Sequence, residues 1–297
     1  MSWENAMGMI FPWRLARQGN VPSETDFEEV AHDILELADQ ERVFKGVAFV
    51  GSLVRGDLQW GSDLDLILVA RPSKFARAQA LERQFGRLAT ERAVPLSSWL
   101  WNANDAACGR HMYGPSYLQT FPRKLGRFAI GKPLADCFQV PYGSVQEEML
   151  QKLVSNLRST QARGGIFMSR HFGCDHNLEA WLQRNWEANF RPLRRHIVIG
   201  RWLLWWLHGV LPDDGKAEVI SRFLAEPEFS SLHGDYKELL DLDYRYDELL
   251  GRVVVGRERR GSYLRKVGNL LMENFQVSLR LLQNALSLTR RATTKAA

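Results

Sequence analysis

The stretch VAFVGSLVRGDLQWGSDLDLILV, residues 47–69, decides how this chain is read. Val47 to Val50 is a short apolar run that predicts a buried strand, ending on Gly51-Ser52. Asp63 to Val69 reads DLDLILV and predicts a second strand, with carboxylates on one side and leucines on the other. Side chains two apart on a strand share a face, so Asp63 and Asp65 are expected about 7 Å apart along it. Gly51 leaves room for backbone N–H groups to approach phosphate oxygens, and Ser52 adds a hydroxyl donor. A helix starting there is expected to add its positive end. Arg55, three residues on, is placed to neutralise phosphate charge. Two carboxylates this close repel unless a cation lies between them, and Mg²⁺ is usually held by one or two carboxylates plus phosphates. If the two strands pair, the Gly-Ser turn meets the carboxylates, and a triphosphate cradle stands beside a metal seat.

Upstream, residues 1–22 read as irregular, punctuated by Pro12, Gly19 and Pro22. Ser23 with Asp26 resembles a capping box. Phe27, Val30, Ile34, Leu35 and Leu37 follow at near-helical spacing through about Arg42, and Lys45-Gly46 is expected to break that helix. Downstream, a brief helix is expected within Leu53–Leu58. Arg71-Pro72-Ser73 turns the chain, a helix is predicted over about 73–92, and Val94 to Trp101 reads as a third strand despite Pro95. Arg127 to Ile130 is a candidate fourth strand. Alternating helices and strands predict a small sheet domain.

From Ser144 the pattern turns helical, with helices expected over about 144–162, 177–209, 214–225, 233–250 and 259–289. In the last, Leu264, Val267, Leu271, Phe275, Leu279 and Leu282 recur every three or four residues. The expected class is α+β: a small mixed-sheet domain over 23–140, an antiparallel helical bundle over 141–290, and a basic tail over 291–297.

Gly-Ser after a strand, about ten residues, then a Ser-preceded D-x-D opening an apolar strand resembles the signature of the DNA polymerase β-like nucleotidyltransferases. The match is close over residues 46–70 and extends loosely to about 135. GSLVRGDLQWGSDLDLILV is most similar to small bacterial members: aminoglycoside nucleotidyltransferases, minimal nucleotidyltransferases of toxin–antitoxin pairs, and protein-modifying uridylyl- and adenylyltransferases. The resemblance implies that Gly51, Ser52, Arg55 and Ser62 bind a nucleoside triphosphate, and that Asp63 and Asp65 are catalytic and ligate Mg²⁺. It implies in-line attack of an acceptor hydroxyl on the α-phosphate, with two metals and release of pyrophosphate.

One part of the pattern is missing. The family carries a third acidic residue on the next long strand, where it ligates metal or serves as general base. Here that strand reads VPLSSWLW, residues 94–101, with Ser97 and Ser98 at its centre and no acid. Glu91 precedes it and Asp105 follows it. Glu147 and Glu148, opening the helical half, are the remaining candidates for a base. Two readings stand: transfer with two carboxylates and a base supplied elsewhere, or a nucleotide-binding subunit that no longer transfers.

Charge bears on the acceptor. The chain of 297 residues carries a net charge of +5 at pH 7. Aminoglycosides are polycations and call for acidic clefts, so a basic chain favours an RNA or protein acceptor over an antibiotic. Arg123, Lys124 and Arg127, and Arg191, Arg194 and Arg195, are the basic candidates for RNA. Tyr113, Tyr117 and Phe121 interleave with Arg110 and Arg123, a mix that either stacks bases or packs a loop. Arg191 and His196 form an R-x4-H spacing similar to the ribonuclease motif of HEPN helical domains. A homo-oligomer or a partner protein is compatible with the apolar last helix.

The three cysteines, Cys108, Cys137 and Cys174, are odd in number and form no CxxC pair, which fits a reducing compartment. His171, Cys174 and His176 in HFGCDH lack a fourth ligand for zinc and read as a loop. The most apolar run, Ile197 to Leu211, is too short for a membrane span and contains Arg201 and His208. It is expected to be a buried helix, and the protein is expected to be cytoplasmic with no membrane partner.

Overall fold

The computed structural model describes residues 22–58, 62–111, 113–121, 123–140, 143–172, 195–209, 215–254, 257 and 259–296. The chain is α+β and divides into two compact units, Met1–Gly143 and Ser144–Ala297.

In the first unit, helix α1 (Glu24–Glu41) opens on a complete capping box. Asp26 N–H donates to Ser23 Oγ at 3.3 Å, and Asp26 Oδ2 accepts from Ser23 N–H at 2.6 Å. The helix stops at Arg42, whose φ of 51° is left-handed. It therefore ends before Lys45-Gly46, because Val43 and Phe44 already belong to the buried strand region that follows.

Strand β1 (Phe44–Val50) leads into the single-turn helix α2 (Ser52–Arg55), and β2 (Leu64–Ala70) returns antiparallel to β1. Helix α3 (Phe75–Glu91) then carries the chain to β3 (Leu96–Asn102), which pairs parallel to β2. A parallel neighbour needs such a crossover, since a tight hairpin reverses direction. Two short helices, α4 (Ala103–Ala107) and α5 (Pro115–Gln119), precede β4 (Ala129–Gly131), antiparallel to β1. The mixed sheet has the order β3-β2-β1-β4. Gly131 has φ of +80°, and a Cβ there would lie 2.6 Å from the Lys45 carbonyl oxygen, so the β1–β4 approach requires glycine.

Both faces of the sheet are covered, and strand alternation sorts the residues between them. On one face Val47, Phe49, Leu64, Leu66, Leu68 and Leu96 pack under α1 and α3, against Phe27, Ile34, Leu81 and Phe85. On the other, Ala48, Ile67 and Val69, with half-buried Trp99 and Trp101, meet Tyr113, Leu118, Phe121 and Phe138. Double coverage explains why β2 reads as an unbroken apolar run after Asp65.

In the second unit every described element is helical. Helix α6 (Val145–Phe172) is capped by Ser144, whose Oγ accepts from Glu147 N–H at 3.1 Å. It continues ten residues past the expected end near 162. Helices α7 (Arg195–His208), α8 (Lys216–Ala225), α9 (His233–Val254) and α10 (Arg260–Ala296) follow. Helix α6 packs against α7 and α10, and α9 packs along α10. Phe223 stacks on Tyr236 at 4.0 Å and on Phe229 at 5.0 Å, and all three are fully buried. Val267, Leu271, Phe275 and Leu282 of α10 are buried at the helical spacing expected of them. Residues 291–296, expected as a tail, extend α10 instead. No helix among the described residues is long and apolar enough to cross a membrane. Ile197, Ile199, Leu203, Leu204 and Trp205 of the apolar run are buried within α7.

Candidate nucleotide and metal site

The site is built where β1 and β2 run side by side. Their register sets Val50 opposite Asp65, so the residue after β1, Gly51, turns beside that carboxylate. Gly51 has φ of +79° and ψ of −145°, a region open essentially to glycine alone. A Cβ at Gly51 would overlap Asp65 Oδ2 and stand 3.3 Å from its Cγ. The backbone of the Gly-Ser turn and the Asp65 side chain are therefore in van der Waals contact.

Asp65 shares its sheet face with Ile67 and Val69, opposite the α1–α3 layer. Asp63 lies one residue ahead of β2, not within it. Its Oδ2 accepts a 2.7 Å hydrogen bond from Ser97 Oγ on β3. Ser97 is the register partner of Asp65, so both acids and Ser97 gather on one face at one end of the β2–β3 pair. The segment leading into β2 is tied down, with Ser62 buried and Leu64 N–H donating to the Pro95 carbonyl at 2.8 Å.

One expectation for the anion cradle changes, and the place of Arg55 is fixed. Helix α2 has four residues, Ser52–Arg55, too few to carry an appreciable dipole, so backbone N–H groups and the Ser52 hydroxyl are what the turn offers. Arg55 is engaged locally, its Nε donating to Asp57 Oδ2 at 3.3 Å, with both side chains largely buried.

Within the first unit, Glu82, Glu91 and Asp105 do not join Asp63 and Asp65 in a metal-holding group. Ser98 faces the helix layer and donates to Glu82 Oε1 of α3 at 2.8 Å, which puts Glu82 across the sheet from Asp63 and Asp65. Asp105 pairs with Arg110 at 2.8 Å, and Glu91 is exposed at the end of α3. Glu147 closes the cap of α6 by accepting from Ser144 N–H at 3.3 Å, and Glu148 pairs with Lys152 at 2.6 Å. Among the described residues no group of three or more His, Cys, Asp or Glu is arranged to hold a metal ion. A pair of hard carboxylates beside a glycine turn suits Mg²⁺, which completes its shell with phosphate oxygens and water.

The aromatic loop packs inward. Tyr113 stacks on Tyr117 at 5.3 Å and meets Phe121 and Phe138 edge-on. Trp101 Nε1 donates to the Tyr113 hydroxyl at 3.0 Å. Burial pushes the Tyr113 phenol up to about 12, and the nearby Asp65 charge adds to the shift. These rings form a wall on the Asp65 side of the sheet, in which Tyr113, Phe121 and Phe138 are buried and Tyr117 is half-buried.

Among the basic candidates, Arg123 and Lys124 are exposed. Arg127 is bidentate to Glu28, at 3.1 and 2.9 Å. Arg195 is buried and donates to Asn156 Oδ1 at 3.1 Å, so it belongs to the interior of its unit. His196 is fully buried, its Nε2 3.7 Å from Asp243 Oδ2 and its ring edge-on to Tyr236. That position suits a packing role better than cleavage of RNA. Arg191, Arg194, Cys174 and His176 lie outside the described residues, as do residues 1–21. Cys108 and Cys137 are free thiols.

A scan against protein-family models finds no match to this chain, and no curated protein matches it.

Proposed function

We propose that the first unit is a DNA polymerase β-like nucleotidyltransferase domain. It transfers an NMP from an NTP to a hydroxyl of an RNA or protein acceptor, and the second unit is a helical bundle that accompanies it. The observation that carries this reading is the contact of the Gly51-Ser52 turn with Asp65, set by the Val50–Asp65 register. It brings the backbone N–H groups and hydroxyl of the turn to a carboxylate pair, the two kinds of group a triphosphate and its cation require together.

In this reading the turn N–H groups and the Ser52 hydroxyl bind phosphate oxygens. Asp63 and Asp65 would hold Mg²⁺, and the ion would supply charge neutralisation for the triphosphate. The acceptor oxygen forms a bond to the α-phosphorus, and the bond to the α–β bridging oxygen breaks. Pyrophosphate leaves with that electron pair. The acceptor's proton passes to a base supplied by the acceptor or a partner protein, because β3 offers serines where the resembled family has an acid.

Ser97 at that place also favours a second reading, a nucleotide-binding subunit that does not transfer. One experiment separates them. The pure protein is incubated with each NTP radiolabelled at the α-phosphate, Mg²⁺, total RNA and cell lysate, beside the Asp63→Ala/Asp65→Ala variant. Label entering RNA or a protein band, and lost in the variant, is the expected result. Triphosphate binding without label under any condition would replace transferase with binding subunit. Label that survives the double change would remove the site altogether.

A further inference from the structure

We propose that Ser97 is the positioning residue of the carboxylate pair: its hydroxyl stands in the third-acid place and holds Asp63 by a hydrogen bond, leaving a seat for one tightly bound divalent cation. The inference rests on the site described above and deepens it.

The sequence offers two serines at the centre of β3, and the sheet tells them apart. Ser97 is the parallel register partner of Asp65 and shares its face. Its Oγ reaches Asp63 Oδ2 at 2.7 Å, so it spans both acids, beside one and bonded to the other. Ser98 projects to the opposite face and donates to Glu82 at 2.8 Å. Asp63 precedes β2 and so lacks a strand's full ladder to orient it. The Ser97 hydrogen bond supplies that orientation, fixing one carboxylate oxygen and leaving the other lone pairs for a cation.

Donor count sets the number of ions held tightly by the protein alone. Two carboxylates, one of them tied to a neutral hydroxyl, offer ligands for one divalent cation, which completes its shell with phosphate oxygens and water. A third carboxylate in place of the Ser97 hydroxyl removes that limit.

The probe is Mn²⁺, counted by its electron paramagnetic resonance signal with and without a non-hydrolysable ATP analogue. The full chain is used, as wild type, Ser97→Ala, Ser97→Thr, Ser97→Asp, Ser98→Ala and Asp63→Ala/Asp65→Ala. Wild type is expected to bind one tight Mn²⁺. Ser97→Ala weakens it roughly tenfold, as loss of a residue that orients a metal ligand does. Ser97→Thr, which keeps the hydroxyl, restores it. Ser97→Asp binds a second ion and shows a larger Mn²⁺-induced rise in melting temperature than wild type. Ser98→Ala, altered on the opposite face, binds as wild type. Ser97→Ala and Ser97→Asp both binding as wild type, while Asp63→Ala/Asp65→Ala loses the ion, would overturn the role of Ser97 and leave the site standing. Mn²⁺ binding unchanged in Asp63→Ala/Asp65→Ala would overturn the site itself. Melting curves without metal identify any variant that fails to fold, and Ser97→Thr then carries the comparison with wild type.

Discussion

Gly51 and Asp65 are in contact: the carboxylate of Asp65 occupies the space that any side chain at position 51 would need. The glycine is required twice, by this contact and by its φ of +79°. Gly51→Ala is therefore expected to cost about 1–3 kcal/mol from backbone strain alone, with a further penalty from the overlap. Asp65→Ala, combined with it, relieves the overlap and not the strain, so the two changes add to less than their sum. Chemical denaturation of the four proteins measures this. Strict additivity would show that the turn and the carboxylate are independent.

The Tyr113 hydroxyl gives the first unit a signature in alkali. Burial raises it from 10.0 to about 12. The unfolded chain releases this proton near the ordinary value, and the fold resists releasing it. Its stability contribution is thus fully present below about pH 10, and is lost as pH rises toward about 12. Tyr113→Phe should abolish that part of the slope, seen as the difference between wild-type and variant melting temperatures over that range. The variant should also lose about 1 kcal/mol at neutral pH, because Trp101 Nε1 loses its acceptor. A wild-type slope retained in Tyr113→Phe would assign it to other groups.

The start of α1 depends on two side chains. The Ser23 hydroxyl and backbone N–H both donate to Asp26, and these hydrogen bonds hold the Asp26 carboxyl below its ordinary 3.8. A lowered carboxyl contributes stability that is present above the ordinary value and is lost as pH falls through the lowered one. Ser23→Ala is expected to cost about 1 kcal/mol at pH 7. Urea unfolding in acid, as pH falls through the lowered value, should show a progressively smaller difference. A difference that grows in acid would contradict the capping box.

His196 and Asp243 stand 3.7 Å apart, both buried, where α7 meets α9 inside the second unit. Replacing either by Ala leaves the other polar group buried. Each replacement should cost about 1–3 kcal/mol in stability, read as a fall in the denaturation midpoint. Transfer of label in the first unit's assay should follow protein stability and show no specific loss. A His196→Ala protein of wild-type stability would reopen a chemical role for that ring.

Much of the site's local content was legible in residues 47–69. A strand ending in Gly-Ser and a strand opening with two alternate aspartates are local patterns, and strand periodicity alone assigns Asp63 and Asp65 to one face. The α1 cap, helix α3 itself and the apolar face of α10 were equally readable, since capping and helical spacing act over four residues or fewer. Some helix ends were less so: α6 runs to Phe172 past its expected end near 162, and α10 runs on through Ala296 past its own.

Whether Arg55 meets an anion or Asp57, which of Ser97 and Ser98 faces the acids, and whether Tyr113 is a surface ring or a core ring are decided only in three dimensions. Each depends on partners the local pattern does not name. Ser97 and Ser98 look alike in sequence, and the parallel register with β2 sends one to Asp63 and the other to Glu82. His196 followed the same rule: its spacing from Arg191 was local, but its burial against Asp243, on a separate helix, was not. Short-range order came from residue periodicity, whereas the chemistry of each polar side chain was set by the long-range pairing that chose its neighbours.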